Sequence, residues 1–535
     1  MNTQINKTNE PPSCGSCGQS RRNFLTGCAK IGAVGAFSGL VIPSIIATEG
    51  CTSSVQPVMK VRVVFGAIDV IMQRRCWPNI AYDFNPFMEK VMNALTNGCP
   101  KIEFVQAFVQ SAKQAEELTN EDEARGDIDG YLPIQLSSQL RIVAPFVDSG
   151  KPVLYADFLY AGSGLFLTSS SAQIRRNVDN YAFMASLDVA HIVAAANCFP
   201  LAKGPGGNQA FVDAVAQLRQ DIVAGVKVDM NCIDDKVDVL PFDELMKELK
   251  GKKILEFEKG WNDVGKEVKE MLGIEIIRLP FTELDDIGKK FTKDQTMDVV
   301  KRWKGDAASV VDVSDLTLEK AARMYLSMKQ CMKNHDASAI TINCFGGFAA
   351  ETIPGYPCMG FFELLNEGLI GACECDTLST ITMLVMTTLT KGRPGFLSDP
   401  VMDVSTGQII YAHCVAPNKP FGSQGASNPF TIMTHSEDRQ GASIRSTLPE
   451  GYMTSTLKFN PATKEILFHQ AKSVGNSTED RACRTKLQAV PVGDFENLFK
   501  EYDRWGWHRV TYYGDLKKPV YDLADSLGWK VVEEA

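Results

Sequence analysis

"KPVLYADFL", residues 151–159, decides the fold. Apolar side chains fall on both of its faces with no regular polar alternation, the pattern of a strand covered on both sides by other elements. Strands of that kind belong to parallel sheets, whose connections are helices. The flanking sequence agrees. "VMKVRVVFGAIDV" (58–70) and "KIEFVQAFV" read as strands. Between them "NPFMEKVMNALTNG" (85–98) sets Phe87, Val91 and Leu95 on one helical face, with Gly98 as a stop.

The pattern restarts downstream. "KKILEFEKG" (252–260), "GIEIIRLP" (273–280) and "ASAITINCFGG" (337–347) read as strands, and "LEKAARMYLSMKQCM" (318–332) as a helix between them. "LAKGPGGNQAF" (201–211) reads as a surface loop. In the last third, "GQIIYAHCV", "STLKFNP" and "KEILFHQAK" are short strands separated by turn residues. The ending "WHRVTYYGDLKKPVYDLADSLGWKVVEEA" gives one more strand and a helix with Val520, Leu523 and Leu527 on one face. The expected fold is α/β: two Rossmann-like α/β domains (58–168 and 169–340), then a C-terminal α/β domain (341–535) with a β-rich, barrel-like part. The chain has 535 residues, too many for a single core.

Composition narrows the function. The chain is 44% hydrophobic and 22% charged, ordinary for a globular protein, and its net charge of −9 argues against nucleic acid as a partner. No G-x-G-x-x-G, P-loop, H-E-x-x-H or G-x-S-x-G motif is present. The 15 cysteines show no four-ligand zinc spacing, and the CxxC of Cys14 and Cys17 has no second pair downstream.

Residues 1–57 read as a leader and linker. Arg21–Arg22, followed by Phe24–Leu25 and a Gly/Ala-rich apolar run, resembles a twin-arginine export signal. That implies a periplasmic or extracytoplasmic protein, exported already folded. The alternative is an N-terminal helix of the mature chain. Lipid attachment at Cys51 is disfavoured by Glu49. No later segment reads as transmembrane, so no integral membrane domain is expected.

The candidate site comes from acids at the ends of apolar runs. In "TINCFGGFAAE", Glu351 lies just past an expected buried strand, where α/β sheets bind ligands. In "GLIGACECDTLSTITML" (368–384), Asp376 stands between a strand-like stretch and a helix running to Leu389. It is either that helix's N-cap or a ligand. Glu374 is either an outward strand residue or a partner of the same site. Two carboxylates at neighbouring strand ends repel unless a cation lies between them. Oxygen ligands with an imidazole suit a hard or borderline divalent ion such as Mn²⁺. Of the six histidines, His413 ends a strand and His508 follows Trp507.

"ACECDTLSTITMLVMTTLTKGRPGF", the "HC" at 413–414, "GYPCMGFFELLNEG" and the closing "WHRVTYYGDLKKPVYDLADSLGWKV" resemble the L-fucose isomerase family, itself distantly related to L-arabinose isomerase. The resemblance implies a three-domain, oligomeric, metal-dependent aldose–ketose isomerase acting on a free monosaccharide through an enediolate. It implies Mn²⁺ or another divalent metal held by Glu351, Asp376 and His508, with Glu363 the competitor for the glutamate position. It makes Glu351 and Asp376 the catalytic acid and base. His413, Glu374, Arg75 and Trp507 would line the substrate, Arg75 reaching from a neighbouring subunit and Glu374 supporting Asp376. The export leader departs from that family's cytoplasmic role, so the alternative is an exported, non-catalytic sugar-binding protein on the same fold.

Overall fold

The structure, a computed structural model, describes residues 59–535; the leader reading, with Arg21, Arg22, Cys14, Cys17 and Cys51, lies outside the described residues. The first sheet holds β1 (Met59–Gly66), β2 (Ile102–Val109), β3 (Gly130–Gln135), β4 (Val153–Asp157) and β5 (Tyr181–Ala185) in the order β2-β1-β3-β4-β5, all parallel. The order reverses beside β1, as in doubly wound Rossmann-like folds. Every residue of β4 is buried, which is why "KPVLYADFL" carries no polar alternation. The helix Asn85–Gly98 buries Met88, Val91 and Leu95, with Phe87 half-buried.

A second parallel sheet contains β6 (Lys253–Phe257), β7 (Glu275–Leu279), β9 (Ala339–Ile342) and β10 (Ile370–Ala372) in the order β10-β9-β6-β7. The short β8 (Ser309–Val311) pairs instead with β13 (Phe430–Met433), which also pairs with β14 (Ser443–Ser446). The segment expected as a loop at 201–211 is folded. It contains the end of a 3₁₀ turn, Phe199–Lys203, and the start of the helix Gly207–Gly225, which Gly207 opens with a left-handed φ of 58°. There Gly207 supplies the left-handed residue at the start of the helix.

The C-terminal part is antiparallel. Its strands are β11 (Phe396–Asp403), β12 (Gln408–His413), β15 (Met453–Asn460), β16 (Glu465–Asn476), β17 (Thr485–Val492) and β18 (Arg509–Tyr513). They pair in the order β15-β18-β11-β12-β17-β16, and β16 pairs back with β15, so the sheet closes into a six-stranded barrel. Closure removes free edges apart from the place where β19 (Lys530–Glu533) adds parallel to β16. The helix Thr377–Leu389 is buried along almost its whole length; the backbone N–H of Phe459 on β15 donates to the Thr382 hydroxyl at 2.8 Å. Among the described residues, no helix is long and apolar enough to cross a membrane.

Candidate metal centre

The site lies where the second parallel sheet meets the barrel. β10 ends at Ala372, and the chain turns through Glu374 (φ 60°) and Cys375 (φ 54°) before the helix Thr377–Leu389 begins. Two consecutive non-glycine residues in the left-handed region are strained, a state that persists only where the surroundings enforce it. The turn presents the Glu374 carboxylate to the barrel. The barrel answers with three side chains set by strand register. Asp399 of β11 sits opposite Ala412 of β12, so His413 follows beside it. Ser398 pairs with Arg509 of β18, which brings His508 to the other side.

One oxygen or nitrogen from each of Glu374, Asp399, His413 and His508 lies within 4.8 Å of all the others. His508 Nε2 is 3.5 Å from both Glu374 Oε2 and Asp399 Oδ1, while His413 Nε2 is 3.8 Å from Glu374 Oε1 and 3.9 Å from Asp399 Oδ2. These separations are too long for hydrogen bonds. Asp399 Oδ1, His413 Nε2 and His508 Nε2 are all buried without a hydrogen-bond partner. Several unmet polar atoms aimed at one point in a buried site are costly unless something occupies that point. The donor set, two carboxylates and two imidazoles, fits a divalent cation of hard or borderline character.

The far nitrogens assign the two rings. His508 Nδ1 lies 2.9 Å from Asp376 Oδ2; a carboxylate only accepts, so Nδ1 carries the proton and Nε2 of the neutral ring is a free electron pair. His413 is the reverse: its Nδ1 accepts the backbone N–H of Cys414 at 2.9 Å, so Nε2 carries the proton of the neutral ring. Glu374, Asp399 and His508 can therefore hold an ion, with His413 as a hydrogen-bond donor at its edge. Burial opposes charge on His508, but Asp399, Asp376 and Glu374 outweigh it and push the imidazolium up to about 10. Without an ion, that proton is the cation of the site. Burial raises the Glu374 carboxyl, yet His508 and His413 bring it below its ordinary value; burial holds Asp399 above its own.

The structure exchanges the expected places of the two acids at 374 and 376. Asp376 is the N-cap, and it is saturated: Oδ1 accepts from Ser379 N, and Oδ2 from Ser379 Oγ, Lys458 Nζ and His508 Nδ1. Four donors fill a carboxylate's capacity, so Asp376 orients His508 from behind. Burial would raise its carboxyl, but Lys458 and His508 hold it far below the carboxylate range.

Glu351 does not join the cluster. The strand β9 stops at Ile342 and "CFGGFAA" is helical, so Glu351 is carried on to the exposed C-cap of that helix. Glu363 is engaged elsewhere, accepting from Arg302 at 2.7 Å. Arg75 donates within its own chain to Asp438 at 2.7 Å and lies over the Phe348 ring. Trp507 lies against Gly164, where an added Cβ would meet its ring at 3.3 Å.

Sequence reasoning missed Asp399, Lys458, Glu437 and Trp261. Trp261 is 58% exposed, and its ring stacks on His508 at 5.8 Å and 16°. Its loop is pinned because Gly260 leaves no room for a side chain: a Cβ there would come within 2.8 Å of Cys375 O and closer still to Thr377 and Glu256. Glu437 is buried nearby, and desolvation, with Glu374 adding, pushes its carboxyl up to about 8 against the pull of His435.

No known family model matches the chain. It is similar to the sulfoquinovose isomerase of Clostridium sp. (strain MSTE9), 23% identical over 270 residues, covering 49% of this chain and 58% of that protein. The sulfoquinovose isomerase of Priestia aryabhattai is 22% identical over 278 residues, with the same coverage of each chain. The match thus spans little more than half the length of these relatives. Solved structures with some likeness include a periplasmic ribose ABC transporter from Conexibacter woesei DSM 14684 (13% identity, 64% of this chain, 90% of that chain, TM-score 0.17). An ABC transporter solute binding protein from Bacillus halodurans C-125 with bound myo-inositol gives 14% identity, 63% and 91% coverage and a TM-score of 0.18. Scores this low do not amount to a shared fold.

Proposed function

We propose that this chain is a metal-dependent sugar isomerase that interconverts an aldose and a ketose. The convergence of Glu374, Asp399 and His508, the last two with unmet ligand atoms, carries the reading, and the similarity to sulfoquinovose isomerases supports the reaction class. Bound by those three residues, a divalent ion such as Mn²⁺ would supply Lewis acidity toward adjacent oxygens of an open-chain sugar.

The chain's own groups do the rest. Asp376 fixes the His508 ring, and Lys458 fixes Asp376. His413 offers its Nε2 proton to a substrate oxygen. The carboxylates of Glu374 and Asp399 are placed to accept a proton from carbon, and Glu437 holds one in reserve near neutral pH. Trp261 gives an apolar face on the solvent side, over which the C–H face of a sugar can lie. An L-fucose type of substrate and a sulfonated hexose are both panel members. Export through Arg21–Arg22 and assembly into a homo-oligomer belong to the same proposal. Changing both arginines to Lys should leave the precursor in the cytoplasm.

The test is a panel of free aldoses, including L-fucose, D-arabinose and sulfoquinovose, scored for ketose with the chelated and the Mn²⁺-restored protein. The expected result is ketose formation that stops with chelator and returns with Mn²⁺, with deuterium from heavy water entering the carbon beside the new carbonyl. Sugar binding without interconversion across the panel would overturn the isomerase reading and leave a sugar-binding protein.

A further inference from the structure

A second cluster of ligand-type side chains lies behind the first, and it is soft where the first is hard. His413 of β12 pairs with Thr485 of β17, so the residue after β12, Cys414, and one shortly before β17, Cys483, meet at one end of the barrel. The ligand atoms of His413, Cys414 and Cys483 all lie within 4.8 Å of one another, and all three residues are buried. Cys358, which opens the helix Cys358–Asn366, is buried in the same neighbourhood.

The surroundings are unusual for core thiols. Free cysteines in cores behave as small apolar groups among other apolar groups. Here the Cys414 and Cys483 sulfurs share their surroundings with a ring nitrogen of His413, and the His435 imidazole is buried nearby. His435 Nδ1 is held by Asp438 Oδ1 at 3.1 Å, and Asp438 is held in turn by Arg75 Nε at 2.7 Å and the Tyr356 hydroxyl at 2.6 Å. A carboxylate behind a histidine, itself anchored, is the outer arrangement that orients imidazoles at metal centres. His413 contributes a further feature. Its Nε2 faces the carboxylates of the first site, so the nitrogen on the Cys414 side is Nδ1, which accepts the backbone N–H of Cys414.

We propose that Cys414, Cys483 and His413 Nδ1 bind one thiophilic divalent ion of the zinc class. Thiolate sulfur and imidazole nitrogen in a closed, buried setting suit tetrahedral zinc, whereas the neighbouring oxygen-rich cluster suits a harder ion. Binding releases a proton from each coordinating thiol to solvent, and the ion replaces the Cys414 N–H at His413 Nδ1. The proposal stands apart from the isomerase reading, because it concerns different donor atoms and a structural ion.

The test uses the full chain carrying Cys14→Ser, Cys17→Ser, Cys28→Ser and Cys51→Ser, so that the leader's thiols contribute nothing. It is reduced, stripped of metal and titrated with Co²⁺ alone. The expected result is one equivalent that gives a near-ultraviolet thiolate-to-cobalt charge-transfer band, displaced by Zn²⁺. That band should be lost in Cys483→Ser and kept in Asp399→Asn. If the otherwise unaltered stripped chain binds Co²⁺ without a thiolate band, and its thiols react equally fast with a disulfide reagent with or without the ion, the proposal is overturned. That comparison does not depend on any barrel variant folding.

Discussion

His469 and His508 belong to the same barrel and both are fully buried, yet their surroundings differ in kind. His469 has both nitrogens met: Nε2 lies 2.7 Å from the Tyr411 hydroxyl, and Nδ1 lies 2.8 Å from Glu534 Oε2. Glu534 also takes a two-pronged contact from Arg509, so the interior network Tyr411–His469–Glu534–Arg509 is closed on itself. His508 is met on one nitrogen only. Its other nitrogen, with Asp399 Oδ1 and His413 Nε2, has no hydrogen-bond partner, and the three belong to one cluster of converging ligand atoms. Burial is the same in the two regions, and so is the mixture of acid and imidazole. Satisfaction separates them: a closed network gives a rigid core, and an open one gives a binding site.

Breaking the open network should cost function and little stability. Asp399→Asn removes one of two converging carboxylates. It should abolish Mn²⁺ retention and lower isomerisation by at least the ~10²–10⁴-fold expected for a lost acid–base group. The thermal midpoint of the metal-free chain should barely move. Metal analysis beside a melting curve reads both; a large loss of stability in the metal-free variant would show that Asp399 is structural after all.

Breaking the closed network should do the reverse. Arg509→Met leaves Glu534 a buried charge with His469 as its remaining partner, and such a break costs about 3–5 kcal/mol. The acid limit of stability should move too. Burial opposes the Glu534 charge, but Arg509 and His469 bring its carboxyl down from 4.5 to about 2. A depressed carboxyl stabilises fully above its unfolded value and loses that contribution as pH falls toward the folded one. The native chain should keep this term until the pH drops below the ordinary carboxylate range. The variant should unfold in acid at a higher pH, read by denaturant midpoints across a pH series.

Much of this architecture is legible along the chain because it is local. Asp376 followed by an apolar run, with Gly392 and Pro394 beyond Leu389, marks both ends of the helix Thr377–Leu389. Buried apolar runs mark the parallel strands. The site is less legible because register makes it. Asp399 lies in a strand whose residues are all buried, so no alternation shows which way its carboxylate points. It meets His508 through pairing between β11 and β18, which lie far apart in sequence. Glu351 misleads for a local reason: "TINCFGGFAAE" has the composition of a strand end, but Asn343 caps a helix there by accepting from Gly346 N, and the acid is carried away from the sheet. The sequence around 374–376 holds both acids, and only the hydrogen bonds of Asp376 show which of them is spent.

Asp376→Asn probes the seam between the two regions. The amide can still accept from Ser379 N, but it no longer balances Lys458 or holds His508 Nδ1 as a charged acceptor. Changes to groups behind a metal-bound histidine typically cost about 10–100-fold in affinity or activity. Mn²⁺ affinity should fall by that amount, less than for Asp399→Asn, with the far-ultraviolet circular dichroism spectrum unchanged. Equal losses in the two variants would place Asp376 among the ligands and undo the assignment by satisfaction.

A third buried carboxylate is neither closed nor matched to imidazoles, and its effect should show in the slope of stability against pH rather than in function. Asp157 ends β4 in the first sheet; its Oδ2 accepts from the Ser163 hydroxyl at 3.0 Å, and its Oδ1 has no partner. Desolvation dominates there, against Ser163 and Arg481, and pushes the carboxyl from 3.8 up to about 8. An unmet acid that forms no ion pair is therefore neutral in the fold near pH 7, whereas the acids beside His508 share its charge. The sign follows from linkage. A raised folded value stabilises fully below the unfolded value, and the contribution fades as pH rises through the folded one. The native chain should lose stability steadily from about pH 4 toward pH 8 on account of this group. Asp157→Asn keeps the shape and cannot ionise, so it should flatten that slope and equal or exceed the native chain's stability above pH 8. Unfolding free energies at acidic and alkaline pH for the two proteins decide it; parallel pH profiles would mean that Asp157 is charged in the fold, and that burial with one unmet oxygen is not enough to neutralise an acid here.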